Sequence, residues 1–302
     1  MSFEPGLIHA PLTPFGAGGR IDHDTFAKAI RFHVANGADS IALPMHAGEA
    51  VSLPDAEKRK LIGFAVEQAG GTPVIAHASD AGTGIAAALA RHAEEVGAAA
   101  ILSTTPYYWT PPAAMLVEHF AAIAGAVSLP FYVHSAPDDM AGIKVNVDIV
   151  LKLIERAPNF AGVIDSGLDW QFMIELLTEA PKKRPGFRLI SGNEYMVSAG
   201  AIGAGAIVST LATIAPRRVR ALYDDCRAER LFEARRAQED VAHLRQVLKP
   251  LGVAGLKAAA ALMGRDAGRP RPPLEPLTAR QSKALAASLE AIAALGAEPR
   301  GW

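Results

Sequence analysis

Short apolar runs alternate with longer stretches of helical period along most of the chain. Eight runs read as buried strands, because they are apolar on both faces and break off at Gly, Ser, Asp or Pro. They are Gly6 to Leu12, Ser40 to Pro44, Val74 to His77, Ala99 to Ser103, Pro130 to His134, Phe160 to Ile164, Phe187 to Ile190 and Ala206 to Ser209. Helical patterns fill the intervals. Asp22 caps one that runs to Asn36, Pro54 opens one that runs to about Gln68, and Gly84 to Val96 is alanine-rich. Others span Ala113 to Ala124, Asn146 to Glu155 and Asp169 to Glu179, and Pro216 starts another. From Leu231 to Leu295 only helical patterns remain. Eight is the number of strands that closes a parallel barrel, so the expected fold is a (β/α)8 TIM barrel over residues 1–230 with a helical C-terminal extension over 231–302. A doubly wound open sheet is the alternative. The glycines from Gly200 to Gly205 are spaced G-x-x-G-x-G and precede a strand, whereas a dinucleotide fingerprint follows one; they read as backbone packing into strand eight.

Composition narrows the classes. Half of the 302 residues are hydrophobic and the formal charge is −1, so a large core is expected and no basic block suggests nucleic acid. Apolar stretches stop well short of the roughly 18 residues a spanning helix needs. Met1 to Gly6 lacks a basic segment followed by an apolar run, and Cys226 is the single cysteine. The expectation is a cytoplasmic protein with a small-molecule ligand, and with neither nucleic acid nor membrane as partner.

Candidate chemistry sits at the strand ends. His46, His77 and His134 follow strands two, three and five, near Glu49, Asp139 and Asp165. Three imidazoles and a carboxylate could hold a divalent metal such as Zn²⁺. No H-x-H motif is present and the three strand ends are not all neighbours, so no cofactor is assigned and the metal is the minority reading. The unperturbed pKa of histidine makes His134 an acid–base candidate, with a structural hydrogen bond to a backbone carbonyl as the even alternative. Glu49 reads as structural, its carboxylate fixing amides of its loop. Asp165 reads as a cap for the following turn.

These residues also carry a resemblance. Thr13-Pro14-Phe15 with Asp22, Gly48-Glu49, Pro106-Tyr107-Tyr108, Pro130 to Pro137, Gly162 to Asp169, Ser191-Gly192-Asn193, Ser209 to Pro216 and Arg271-Pro272-Pro273 resemble the dihydrodipicolinate synthase and N-acetylneuraminate lyase group of Schiff-base aldolases. The resemblance implies a TIM barrel with C-terminal helices, assembled as a homodimer or homotetramer. It also implies a lysine at the position of Ile164, which would form an imine with pyruvate. Isoleucine has no nucleophile. The family's proton-relay tyrosine maps to His134, its two threonines to His46 and Ala47, and its carboxylate-binding arginine near Asp139. Tyr108 is retained, where the matching family residue reaches a neighbouring subunit's site, and Tyr107 to Trp109 read as a subunit contact. His134 and Tyr108 are therefore the catalytic candidates, with His46, Ala47, Ile164 and Ile207 or Val208 lining the substrate pocket. That pocket is expected to be less cationic than the family's and to suit a neutral group. Lys144 is the nearest lysine in sequence.

Two functions follow. One is an altered, non-covalent lyase-type or proton-transfer reaction on a small molecule. The other is a non-catalytic binding or regulatory protein on the aldolase scaffold.

Overall fold

The computed structural model describes residues 3–136 and 144–302, so Asp139 lies outside the described residues. Eight parallel strands close into one barrel in chain order, with β1 paired to β8. They are β1 Leu7–His9, β2 Ser40–Leu43, β3 Val74–His77, β4 Ala100–Thr104, β5 Phe131–Ser135, β6 Phe160–Asp165, β7 Arg188–Ser191 and β8 Ala206–Ser209. The helices of the barrel are α1 His23–Ala35, α2 Asp55–Gln68, α3 Thr83–Glu95, α4 Ala113–Ala124, α5 Val147–Arg156, α6 Trp170–Lys183, α7 Met196–Ala201 and α8 Pro216–Arg227. Asp22 caps α1 as expected, accepting the Thr25 amide at 3.0 Å. Two details differ from the sequence pattern. Helix α6 continues through Pro181, which sits in its last turn, two residues before the helix ends at Lys183. The short α7 stands between β7 and β8, where the glycine run hid its period.

The period-2 alternation of the strands builds two cores. Ile8, Ala42, Ile75, Leu102, Tyr132, Ile164, Ile190 and Val208 fill the barrel interior. Their neighbours point outward to the helices, as Val163 and Leu189 do between β6, β7 and their helices. Ile207 is one of these outward residues. It packs with Leu7, Met196 and Leu222, so it cannot line a pocket inside the barrel, and of the β8 pair only Val208 faces inward.

The last three helices, α9 Leu231–Leu248, α10 Gly252–Leu262 and α11 Ala279–Glu290, extend the α8 side of the barrel. Leu244, Leu248 and Leu285 share one apolar cluster with Leu7 and Val219. Each such leucine contributes about 1.5–3 kcal/mol on burial. Arg265 is fully buried there and donates to the carbonyls of Thr213, Ile214, Pro299 and Gly301 at 2.7–3.1 Å. Burial lowers its pKa to about 10, which leaves it charged at neutral pH.

Several of the residues that carry the family resemblance converge in one cluster joining the first two barrel loops to the C-terminal region. Thr13 donates to the Gly48 carbonyl at 2.7 Å. Glu49 accepts the Arg271 amide at 2.8 Å and pairs with Lys257 at 2.8 Å, both side chains being almost fully buried. The Arg271 guanidinium holds Glu57 and the carbonyls of Gly19 and Ser52. The cationic groups of Lys257 and Arg271 both lie over the ring of Phe15, 4.2 and 4.4 Å from its centroid. Glu49 is thus structural, but it ties its loop to the C-terminal region instead of to its own amides.

Candidate active site

A cavity of about 350 Å³ opens at the C-terminal ends of the strands. Its walls come from the loops after β2, β5, β6, β7 and β8 and from α9 and the start of α10. That placement is set by the barrel, since strand ends converge there and inward side chains give it a floor.

His134, near the end of β5, is 7% exposed and lines the cavity. Its Nε2 is 2.9 Å from Ser166 Oγ, and Ser166 Oγ is 3.2 Å from the Gly192 carbonyl. That carbonyl can only accept, so the arrangement satisfying every proton has Nε2–H donating to Ser166 and Ser166 donating to Gly192. Nδ1 is then a bare acceptor, and it has no partner among the described residues. Gly192 is required here, because a Cβ would stand 2.1 Å from Ser166 Oγ. Burial, with smaller contributions from His77 and His46, lowers the His134 pKa to about 3 and keeps the imidazole neutral.

His77 does not join it. Its Nδ1 donates to the Pro44 carbonyl at 2.6 Å, and its Nε2 takes the Ser79 hydroxyl at 2.7 Å. Neither nitrogen has a lone pair left for a metal, and burial lowers its pKa to about 4. Among the described residues no three His, Cys, Asp or Glu side chains are grouped to hold an ion, so the His46, His77 and His134 metal reading is set aside.

The other candidates divide. His46, exposed, and Ala47, buried, both line the cavity, as does Val208. Ile164 is Cα partner to His134 across β5 and β6 but is fully buried in the barrel interior, beneath the cavity wall. Tyr108 is 84% exposed with a left-handed backbone (φ 75°) and stacks edge-on to Trp109; within this chain it stands outside the cavity lining. Asp165 faces outward, toward the backbone amides of Gly167 to Asp169, and burial raises its pKa to about 6. Lys144 is exposed, 3.7 Å from Asp169, and away from the cavity.

Sequence reasoning missed several lining residues, among them the polar Ser166, Glu194, Arg245 and Lys249. Glu194 is 1% exposed and accepts from Ser209 Oγ and the amides of Thr210 and Leu211 at 2.8–3.1 Å, while Arg245 reaches its other oxygen at 2.7 Å. A charged residue just past β7 was the available signal for Glu194. Arg245 and Lys249 lie one helical turn apart on an extension that the sequence pattern did not place at the mouth. Both bring positive charge to the mouth.

A closed parallel barrel whose polar side chains gather around one cavity at the strand ends is the architecture of the (β/α)8 barrel proteins with a site at the barrel mouth. Within that class, the chain belongs to the dihydrodipicolinate synthetase family, whose model matches residues 4–292. It is 32% identical over 287 residues to 4-hydroxy-tetrahydrodipicolinate synthase of Acetivibrio thermocellus, covering 93% of this chain and 94% of that one. It is 34% identical over 278 residues to the protein of the same name from Azoarcus sp., covering 90% and 92%. Among solved structures, dihydrodipicolinate synthase from Aquifex aeolicus superposes with a TM-score of 0.89 at 29% identity, covering 95% of this chain and 98% of that one. The lysine-bound enzyme of Cyanidioschyzon merolae gives a TM-score of 0.90 at 25% identity, covering 98% and 99%. Among the described residues no helix is long and apolar enough to cross a membrane.

Proposed function

We propose that this protein acts on a small oxygenated molecule at the barrel mouth by a lyase-type or proton-transfer reaction that forms no imine. One observation carries the reading. Ile164, at the position where the resembling family has its lysine, is sealed into the barrel interior, while its strand partner His134 faces the cavity in a hydrogen-bonded pair with Ser166. A neutral imidazole whose Nε2–H donates to Ser166 orients that hydroxyl, which on turning from the Gly192 carbonyl would polarise a ligand carbonyl or stabilise a developing oxyanion without a covalent bond. Ser166 would relay the proton between His134 and the ligand. Tyr108 would reach such a site only from a neighbouring subunit. Its exposure, with that of Trp109 and Met115, supports assembly as a homodimer or homotetramer.

A second reading has its own support. A histidine held neutral with a pKa of about 3 is a weak base, which favours non-catalytic binding of the same kind of ligand. Incubation with 2-keto acids, hydroxy acids and aldehydes, with and without divalent metal, followed by proton NMR, separates the two. The enzyme reading expects consumption of a panel member that falls at least about 100-fold in His134→Phe. Binding of a panel member with no turnover would overturn it in favour of the second reading.

A further inference from the structure

We infer that the ligand of this cavity carries an anionic group at the end remote from His134, and that Lys249, Arg245 and the first turn of α10 receive it. This rests on the reading of the barrel mouth as a small-molecule site and adds the chemical class of the molecule.

The cavity is large for a three-carbon acid. Six water volumes amount to about 180 Å³, and the space measures about 350 Å³. Its inner wall holds His134 and its hydrogen-bonded partner Ser166. Its outer wall is α9 and α10. Arg245, in the last turn of α9, and Lys249, the residue just past its end, both line it, and Gly252 and Val253 bring the start of α10 beside them.

The charges do not cancel. Glu194 is the single acid lining the cavity among the described residues, and its carboxylate is saturated by Ser209, Thr210, Leu211 and Arg245. Arg245 uses Nη1 for that contact, and its Nε and Nη2 have no partner among the described residues. Lys249 makes no ion pair among the described residues and is exposed at the rim. The cavity is therefore left with one positive charge more than it has negative. No side chain caps α10, whose amides add partial positive charge at the same wall.

The wall is also fixed. Gln238 donates to the Glu194 carbonyl at 2.6 Å and accepts the Val197 amide at 3.1 Å, which with the Glu194–Arg245 pair anchors α9 to the mouth. Lys249, one turn beyond Arg245, lines the opening. Carboxylate and phosphate would both satisfy these donors.

Two probe pairs distinguish them by isothermal titration calorimetry on the full chain: 2-oxoglutarate against 2-oxovalerate, and glucose 6-phosphate against glucose. At low salt, the anionic member of at least one pair should bind about tenfold more tightly than its partner. Lys249→Gln should remove that difference, Lys249→Arg should keep it, and 0.5 M salt, far above physiological ionic strength, should shrink it to about threefold or less. The pair that responds identifies carboxylate or phosphate. Equal affinity within both pairs, a preference that survives in Lys249→Gln, or binding by none of the four probes would overturn the inference. The reading of the function is tested separately, by turnover in His134→Phe and by imine trapping on the unsubstituted chain, neither of which depends on the anion preference.

Discussion

Replacing Glu49 with glutamine would remove one charge from an ion pair that is almost completely dry. Glu49 and Lys257 have side-chain exposures of 0% and 2%, and their charged atoms are 2.8 Å apart. Glutamine keeps the shape and the acceptor for the Arg271 amide, and it incurs the same left-handed backbone cost at φ 58°. What remains is an uncompensated ammonium, which costs about 3–5 kcal/mol when one partner of a buried pair is removed. At about 2.1 cal/mol/K of unfolding entropy per residue, this chain loses roughly 1.6 °C for each kcal/mol, so Tm should fall by roughly 5–8 °C. The pH dependence has a defined sign. Burial already lowers the Lys257 pKa, and losing the carboxylate lowers it further. Between the lowered folded pKa and the unfolded value near about 10.4 the unfolded chain holds more protons, so stability rises with pH and the deficit shrinks from pH 7 to pH 10. Adding Lys257→Met should recover most of the loss. Differential scanning calorimetry showing a fall under about 2 °C, or a deficit that grows with pH, would refute the reasoning.

Ile164→Lys should not restore efficient pyruvate aldolase activity, because His46, Ala47 and His134 differ too and catalytic groups act as a unit. An assay with pyruvate and an aldehyde checks it, with less than about 1% of a family enzyme's rate expected. Asp165→Asn should raise stability at pH 7.5 by about 1–3 kcal/mol and give no gain at pH 4. The folded pKa, about 6, lies above the unfolded value, so the stability Asp165 contributes at low pH is lost as pH rises through 6; urea titrations at the two pH values measure this. Sedimentation at micromolar concentration should show at least a dimer, and Trp109→Asp, at an exposed ring on the loop before α4, should shift it toward monomer.

The strands were legible because a barrel buries them on both sides, and Val74 to His77 and Ala206 to Ser209 agree with the structure to the residue. Which face each residue takes was less legible. An apolar run carries no alternation, so Ile207 and Val208 read alike until the sheet turned one outward and the other in. His46 and His134 were found because they end strands. His77 ends a strand as well, but Pro44 and Ser79 occupy both of its nitrogens, and nothing local in the sequence records such partners. Arg245 and Lys249 lay beyond reach for a different reason. They come from a helix far along the chain whose docking depends on tertiary bonds from Gln238 and Arg245 to the Glu194 loop.

The central claim is that this family member works without an imine, and reductive trapping tests it most directly. The protein would be incubated with pyruvate and sodium borohydride beside a lysine-bearing family enzyme, and both measured by intact mass spectrometry. The account predicts a pyruvyl adduct on the control and an unchanged mass here, since Ile164 supplies no amine, Lys144 stands outside the cavity, and Lys249, which lines it, is an exposed rim residue. A stable adduct on any lysine of this chain would contradict it.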